Sequence, residues 1–214
     1  MSLKSYALST VSRFKTFAKI SGTNDDTRIE NLINSVTEFI ENYIGYRIKE
    51  TAYTNEEYDT QKGDTLILNN FPIDSAATFT LQRRNSGLNE DDWETVDSEF
   101  YHVDYDAGII YGAGGWRFPR TRRGFRVTYT AGHEYDNTAT FLLDTIAGDL
   151  ELATWMLVSV AFNRGSSGGG IQSESIGDYR VVYAGAMMEN EDIKAILDKY
   201  KRFDYPGPLT PLNV

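Results

Sequence analysis

The 214-residue chain contains no cysteine, which excludes a disulfide framework and any cysteine-ligated metal site. It has only two histidines and five prolines, and no apolar run approaches the length of a membrane-spanning helix. The N-terminus also lacks the apolar stretch of a signal peptide. These absences predict a protein that is made in a cytoplasm and has no membrane partner.

Basic residues are in the minority, with 21 against 31 acidic ones, which gives a formal net charge of −10. General nucleic-acid binders usually have the opposite balance. A negatively charged protein can nevertheless surround DNA without adhering to it, because like charges repel. The hydrophobic content of 41% is enough for a packed core in one domain, or in a core with one sizeable insertion.

Helical periodicity is found near both ends of the chain. Apolar residues recur at three- and four-residue steps and predict a helix over residues 8–19, a helix that Asp25 or Asp26 caps and Gly45 ends, and helices over residues 149–164 and 189–203. The second of these is the clearest, since its apolar stripe runs from Ile29 to Tyr43 and Gly45 follows as a typical C-terminal stop.

The central part of the chain has a period of two instead. Alternation predicts strands over residues 65–68, 77–84, 101–105, 109–111 and 125–129. The sequence Asp106-Ala107-Gly108 supplies the turn of a hairpin, because Gly108 tolerates a positive φ. A further short strand is predicted over residues 178–183, and residues 205–214 hold three of the five prolines and form an extended tail.

The predicted fold class is therefore α+β. An α-helical core of about four helices carries an inserted antiparallel β-sheet or small barrel and an extended C-terminal tail. The corresponding regions are residues 1–46 for the N-terminal helices, 47–140 for the β insertion, 141–203 for the C-terminal helices and 204–214 for the tail.

Residue patterns for catalysis or cofactor binding are weak. His102 and His133 have no metal-ligand spacing, and no Gly-x-Ser-x-Gly nucleophile elbow is present. The glycine-rich residues 165–170 follow a helix and are not closed by Gly-Lys-Ser/Thr, so they are no phosphate loop. We expect no catalytic residue, metal or cofactor, and we interpret the segment as a flexible contact loop containing Gly165, Ser166, Gly168 and Gly170.

One charge feature stands out against the acidic background. Five arginines occur within ten residues, uninterrupted by any acid: Arg117, Arg120, Arg122, Arg123 and Arg126. Their segment is a solvated hairpin end, a complementary contact with an acidic face of a neighbouring subunit, or a contact with DNA phosphate. If the subunit contact holds, changing Arg122 and Arg123 to glutamate is expected to abolish ring assembly.

Three segments resemble the head-tail connector (adaptor) proteins of tailed bacteriophages. The first is DDTRIE at residues 25–30 running into IENYIG at residues 40–45, which is similar to the long N-terminal helix of that family. The second is the predicted helix over residues 150–164. The third is ESIGDY at residues 174–179, followed by a strand and a closing helix.

The resemblance implies a structural, non-enzymatic role in the virion. Such adaptors form a ring, usually a dodecamer, below the portal protein, extend the DNA channel without binding DNA specifically, and present a surface for the stopper or tail-completion protein. They dock on the portal through their C-terminal segment, which here implies contacts by Lys194, Lys199, Lys201, Arg202, Phe203 and Tyr205. The implied location is the head-tail interface of the virion, after assembly in the host cytoplasm.

Other functions remain open from the sequence. The chain could be another virion part, such as a tail-completion or decoration protein, and copy number per particle would distinguish these. A glycan hydrolase would need a close carboxylate pair in a cleft. A carbohydrate-binding module would show a row of exposed aromatic side chains on one sheet face.

Overall fold

A computed structural model of the chain describes residues 2–85, 92–135, 148–166 and 190–202. The described residues form two compact units. The helical unit comes from both ends of the chain, within Met1–Ile48 and Glu134–Phe203, and the sheet unit comes from Lys49–His133. The predicted α+β class is confirmed, because the described part contains four α-helices and two antiparallel sheets, neither of which closes into a barrel.

The four helices of the helical unit are α1 Val11–Ala18, α2 Asp26–Ile44, α3 Gly148–Ser166 and α4 Glu191–Tyr200. Their ends follow ordinary capping chemistry. The side chain of Thr10 accepts a hydrogen bond from the Arg13 amide at 3.2 Å and starts α1. Gly45, with φ of 92°, ends α2 in the left-handed conformation, as the sequence predicts. Asn190 caps α4 through the amide of Asp192.

The apolar stripes of these helices form the core of the unit. The fully buried side chains include Phe14, Ile29, Ile33, Val36, Ile40, Leu150, Ala153, Leu157, Val158 and Leu197. One boundary differs from the prediction. Gly165 and Ser166, expected in the flexible loop, belong to the last turn of α3. A glycine costs little at a helix end, where fewer intrahelical hydrogen bonds depend on it.

The strands of the sheet unit are β1 Thr51–Thr60, β2 Thr65–Ile67, β3 Thr80–Arg84, β4 Trp93–Thr95, β5 Tyr101–Asp104, β6 Ile109–Gly112 and β7 Thr121–Ala131. One sheet has the order β1-β7-β3-β4 and the other has the order β2-β6-β5. The predicted hairpin is confirmed: β5 pairs with β6, and Gly108 in its turn has a φ of 66°.

Two strands were not predicted, and one is longer than expected. The residues of β1 are mostly polar, because β1 is an edge strand that pairs only with β7. The strand β4 has only three residues, too few for a periodicity. The strand β7 begins at Thr121 rather than Phe125, so Arg122 and Arg123 lie in a strand and not in a loop.

Both sheets contribute to one core within the sheet unit. Leu66, Val103 and Ile110 come from the smaller sheet, and Leu81, Phe125, Val127 and Tyr129 come from the larger one. Trp116, Phe118 and Phe125 form an edge-to-face aromatic cluster, with ring centroids 4.8 Å apart for the first pair and 5.1 Å apart for Phe118 and Phe125. These three aromatic residues alternate in sequence with the arginines, so their packing anchors the arginine-rich segment to the core.

Some predicted features fall outside the described residues. These are the motif at residues 174–179, the strand at residues 178–183 and the tail at residues 205–214.

Candidate functional site

Seven arginines lie at one end of the sheet unit, and we call this group the arginine surface. Its members are Arg83, Arg84, Arg117, Arg120, Arg122, Arg123 and Arg126. The sequence pattern indicated only five of them. The pairing of β3 with β7, which sets Arg83 opposite Phe125, adds Arg83 and Arg84 from a segment more than thirty positions earlier.

A bulge in β7 presents two of these arginines. In the β1–β7 ladder, Asp59 is the single residue between Tyr58 and Thr60, whereas residues 122–124 stand opposite it between Thr121 and Phe125. Arg123 has a positive φ of 45°, which is costly for a residue with a side chain. The structure holds this conformation by two contacts, a hydrogen bond from the Arg123 amide to Asp59 Oδ1 at 2.7 Å and an ion pair from Arg123 Nε to Glu57 at 2.6 Å.

Bulges of this kind re-aim side chains at strand ends. Gly124 allows the chain to return to the ladder, since a Cβ atom there would lie 2.0 Å from Thr121 Oγ1. Arg122 and Arg123 are consequently exposed.

Trp93 orders two further arginines. The guanidinium carbons of Arg84 and Arg126 lie 4.7 Å and 4.5 Å from the centroid of the Trp93 ring, within the range of cation–π attraction. Arg126 Nε also donates to Gln82 Oε1 at 2.6 Å. Arg84 Nε is buried and has no hydrogen-bond partner in the described part of the chain. A buried donor without a partner is unfavourable, so a ligand that accepts its hydrogen bond would be stabilised.

Arg84 lines an open groove of about 440 Å³. Its wall consists of Arg83, Arg84, Asn85, Trp116, Arg117, Pro119, Thr121, Gly124 and Phe125. Arg117, Arg120 and Arg122 are exposed, and within the described residues their side chains have no ion pair, hydrogen bond or ring contact. Guanidinium groups bind carboxylate and phosphate in a two-pronged geometry, so this arginine groove fits an anionic group.

The C-terminal residues predicted to contact a portal are partly engaged within the helical unit. Lys199 forms an ion pair with Asp149 at 2.9 Å, and the Lys201 ammonium lies 5.2 Å from the centroid of the Tyr43 ring. The Arg202 amide donates to the Ile44 carbonyl at 3.4 Å, while Lys194 is exposed. Phe203 and Tyr205, like Gly168 and Gly170 of the predicted contact loop, lie outside the described residues.

Asp149 of α3 makes the attachment of α4 dependent on pH, because its carboxylate accepts hydrogen bonds from Lys199 and Tyr200 of α4. Burial acts to raise the pKa of this carboxyl, but hydrogen bonds from Tyr200 and Lys199 outweigh burial and lower the pKa below its ordinary value of 3.8. Because the pKa is lower in the folded state, the stabilisation is present above about pH 4 and is lost as the pH falls through the folded-state value.

The substitution Asp149→Asn is therefore expected to lower the midpoint temperature of unfolding at about pH 7 and to have little effect at about pH 2. Thermal unfolding followed by circular dichroism at both pH values tests this. Asp64→Asn, at an exposed aspartate of the sheet unit, is the control. An equal effect of Asp149→Asn at both pH values would contradict the assignment.

The remaining polar clusters have structural explanations. Glu56 accepts hydrogen bonds from Tyr58 and Tyr129, and burial raises the pKa of both tyrosines, so both hydroxyls remain protonated near neutral pH. Burial lowers the pKa of His133, whereas His102 is exposed on β5. Among the described residues, no group of His, Asp and Glu is arranged to hold a metal ion, and no helix has the length and apolarity to span a membrane.

Comparison with known proteins gives one family and several solved structures. The model of the family described as "Head completion protein" matches residues 7–203. A chain in "Neck of native GTA particle computed with C12 symmetry" has a TM-score of 0.50 and 16% identity, over 97% of this chain and 95% of that one.

Two further structures are of the same kind of particle. A chain in "Neck of empty GTA particle computed with C6 symmetry" has a TM-score of 0.49, and one in "Virion of native gene transfer agent (GTA) particle" has 0.48. In both cases the identity is 18%, over 92% of this chain and 91% of the other. No curated protein sequence matches the chain. At such identities the likeness is one of fold.

Proposed function

The chain belongs to the head completion protein family, and from this premise we propose that it is a non-enzymatic adaptor subunit of the neck of a phage-like particle. In this role it forms a ring below the portal protein, at the head-tail interface, around the channel through which DNA passes. The family match over residues 7–203 carries the proposal, and the shared fold with a chain of a GTA neck supports it.

A cyclic ring requires two different surfaces on each subunit, because every copy contacts one neighbour with one face and the other neighbour with another. We assign the arginine surface to one of these faces. The C12 symmetry named for the GTA neck supports a dodecamer. A net charge of −10 suits a channel through which DNA moves without specific binding.

Two other contacts complete the proposed role. The end of α4 and the residues after it face the portal protein through Lys194, Lys199, Lys201, Arg202, Phe203 and Tyr205. Since Lys199 and Lys201 already contact Asp149 and Tyr43, portal binding through them requires an exchange of partners. The stopper or tail-completion protein binds elsewhere on the ring, with Gly165 and Ser166 at the end of α3 and the following Gly168 and Gly170 as candidate contact residues.

Copy number tests this function directly. Quantitative mass spectrometry of gradient-purified particles, scaled to the portal protein, is expected to give about twelve copies per particle, equal to the portal. Hundreds of copies would indicate a decoration or tube protein, and absence from particles would overturn the proposal.

A further inference from the structure

The arginine groove fits an anionic occupant beyond the carboxylates that already pair with its wall, which are Glu94 at 2.7 Å from Arg83 and Glu57 at 3.9 Å from Arg84. Arg84 Nε lacks a hydrogen-bond partner among the described residues, and the Arg117 side chain is exposed beside it in the groove wall. Carboxylates and phosphates both fit this chemistry. The sheet unit carries an exposed acidic turn as well as the arginine groove, and this pairing favours a carboxylate from a second copy of the chain.

The β5–β6 turn, residues 104–108, is acidic and lies away from the arginine surface. The Ile73 amide donates to the Tyr105 carbonyl at 2.7 Å, and Ile73 forms a bridge with Ala131, the last residue of β7. The arginines cluster at the other end of β7, which begins at Thr121. Arg83 is opposite Phe125, six residues before Ala131, so β7 separates the two features by roughly 20 Å.

The turn is also rigid. Asp104 Oδ1 accepts a hydrogen bond from the Ala107 amide at 3.0 Å, and the Gly108 amide donates to the Asp104 carbonyl at 2.9 Å. Gly108 is required there, since a Cβ atom would lie 2.9 Å from the Cβ of Phe71. Asp106 is left exposed. A preformed turn loses little conformational entropy on binding.

We propose that the β5–β6 turn of one subunit occupies the arginine groove of the next, with the Asp106 carboxylate against Arg84 and Arg117. This contact rests on the proposed ring. It joins opposite ends of the same unit, so it is heterologous and propagates from copy to copy, as a ring requires. It also explains how a chain of net charge −10 associates with itself, because the local charges at the contact are opposite.

The absence of cysteine makes the contact measurable by cross-linking. The double variant Asp106→Cys, Arg117→Cys has both thiols on the full-length chain, and a short bis-maleimide is expected to join them between subunits into a ladder of multimers. The control is Glu99→Cys with Arg117→Cys, since Glu99 is also an exposed acid of the sheet unit. A ladder in neither variant, or an equal ladder in both, would overturn the proposed contact.

Charge exchange gives a second, independent readout in particles. Asp106→Arg and Arg117→Asp are each expected to reduce incorporation at least tenfold, and the two changes together are expected to restore it. If Arg117→Asp instead weakens binding to duplex DNA and Asp106→Arg has no effect, the groove binds phosphate. Wild-type copy number near twelve with failed cross-linking would overturn this contact while leaving the ring intact, whereas absence of the wild type from particles would overturn the proposed function.

Discussion

Charge reversal of Arg120 and Arg122 is expected to remove the chain from assembled particles while leaving its fold intact. Both side chains are exposed and make no contact within the described residues, so their loss should not affect folding. Four units of charge would change at a surface that we assign to the subunit contact, where like charges cost several kcal/mol. In the proposed ring this cost recurs at every subunit interface, so incorporation should fall below detection.

The measurement combines mass spectrometry of purified particles with a midpoint temperature of the isolated variant. Lys19→Glu is the control, because it reverses the charge of an exposed lysine in the helical unit, whereas all members of the arginine surface belong to the sheet unit. Arg123 is kept, since its reversal would place a carboxylate beside Glu57 and disturb the bulge that Asp59 holds. Normal incorporation of the Arg120→Glu, Arg122→Glu protein would remove the arginine surface from the ring contact.

The helices were predictable because burial of one helix face imposes a period that is visible in a single sequence. The stripe from Ile29 to Tyr43 is long, and Gly45 marks its end by a backbone conformation that glycine adopts easily. The strand β1 gave no such signal. Its burial is confined to Tyr58 and Thr60, and an edge strand with two irregularities in its register leaves most of its side chains in solvent.

For a related reason, the sequence predicted only five of the seven arginines of the candidate site. A run of arginines can be read locally, whereas Arg83 and Arg84 join it only through the β3–β7 pairing. The support by Trp93 and the bulge at residues 122–124 depend on register, and a single sequence does not specify register here. The run of arginines is a local excess of positive charge in an acidic chain, and that feature alone identified the surface from the sequence.

The same limit applies to Glu151, which the sequence places in the first turn of a helix, where the helix dipole favours an acid. In the structure the residue is only 3% exposed. Its carboxylate accepts hydrogen bonds from Arg13 Nε at 2.8 Å, from Arg13 Nη2 at 2.5 Å and from Ser9 Oγ at 2.8 Å. Trp155 Nε1 donates to the same Ser9 hydroxyl at 2.7 Å. Partners 138 positions apart cannot be inferred from local pattern.

Replacing Arg13 by methionine is therefore expected to lower the free energy of unfolding by about 3 kcal/mol, because the buried Glu151 carboxylate would keep one hydrogen bond, from the Ser9 hydroxyl, and lose two from the Arg13 guanidinium. Urea unfolding followed by far-UV circular dichroism, which reports mainly on the helices, measures this. The Arg83→Met variant is the comparison, since Arg83 and Glu94 are each about half exposed and such a pair contributes under about 1 kcal/mol.

The double variant Arg13→Met, Glu151→Met distinguishes two causes of the lower stability of Arg13→Met, namely the loss of the ion pair's attraction and the burial of an unpaired charge on Glu151. Removing both partners leaves no buried charge, so most of the lost stability should return, because an apolar pair in place of a buried ion pair is often close to neutral. A double variant as unstable as Arg13→Met alone would mean that the guanidinium of Arg13, whose carbon lies 5.7 Å from the centroid of the Trp155 ring, supplies the stability through that ring. In that case α1 is held to α3 by the cation–π contact, and the ion pair serves to fix the orientation of the two helices.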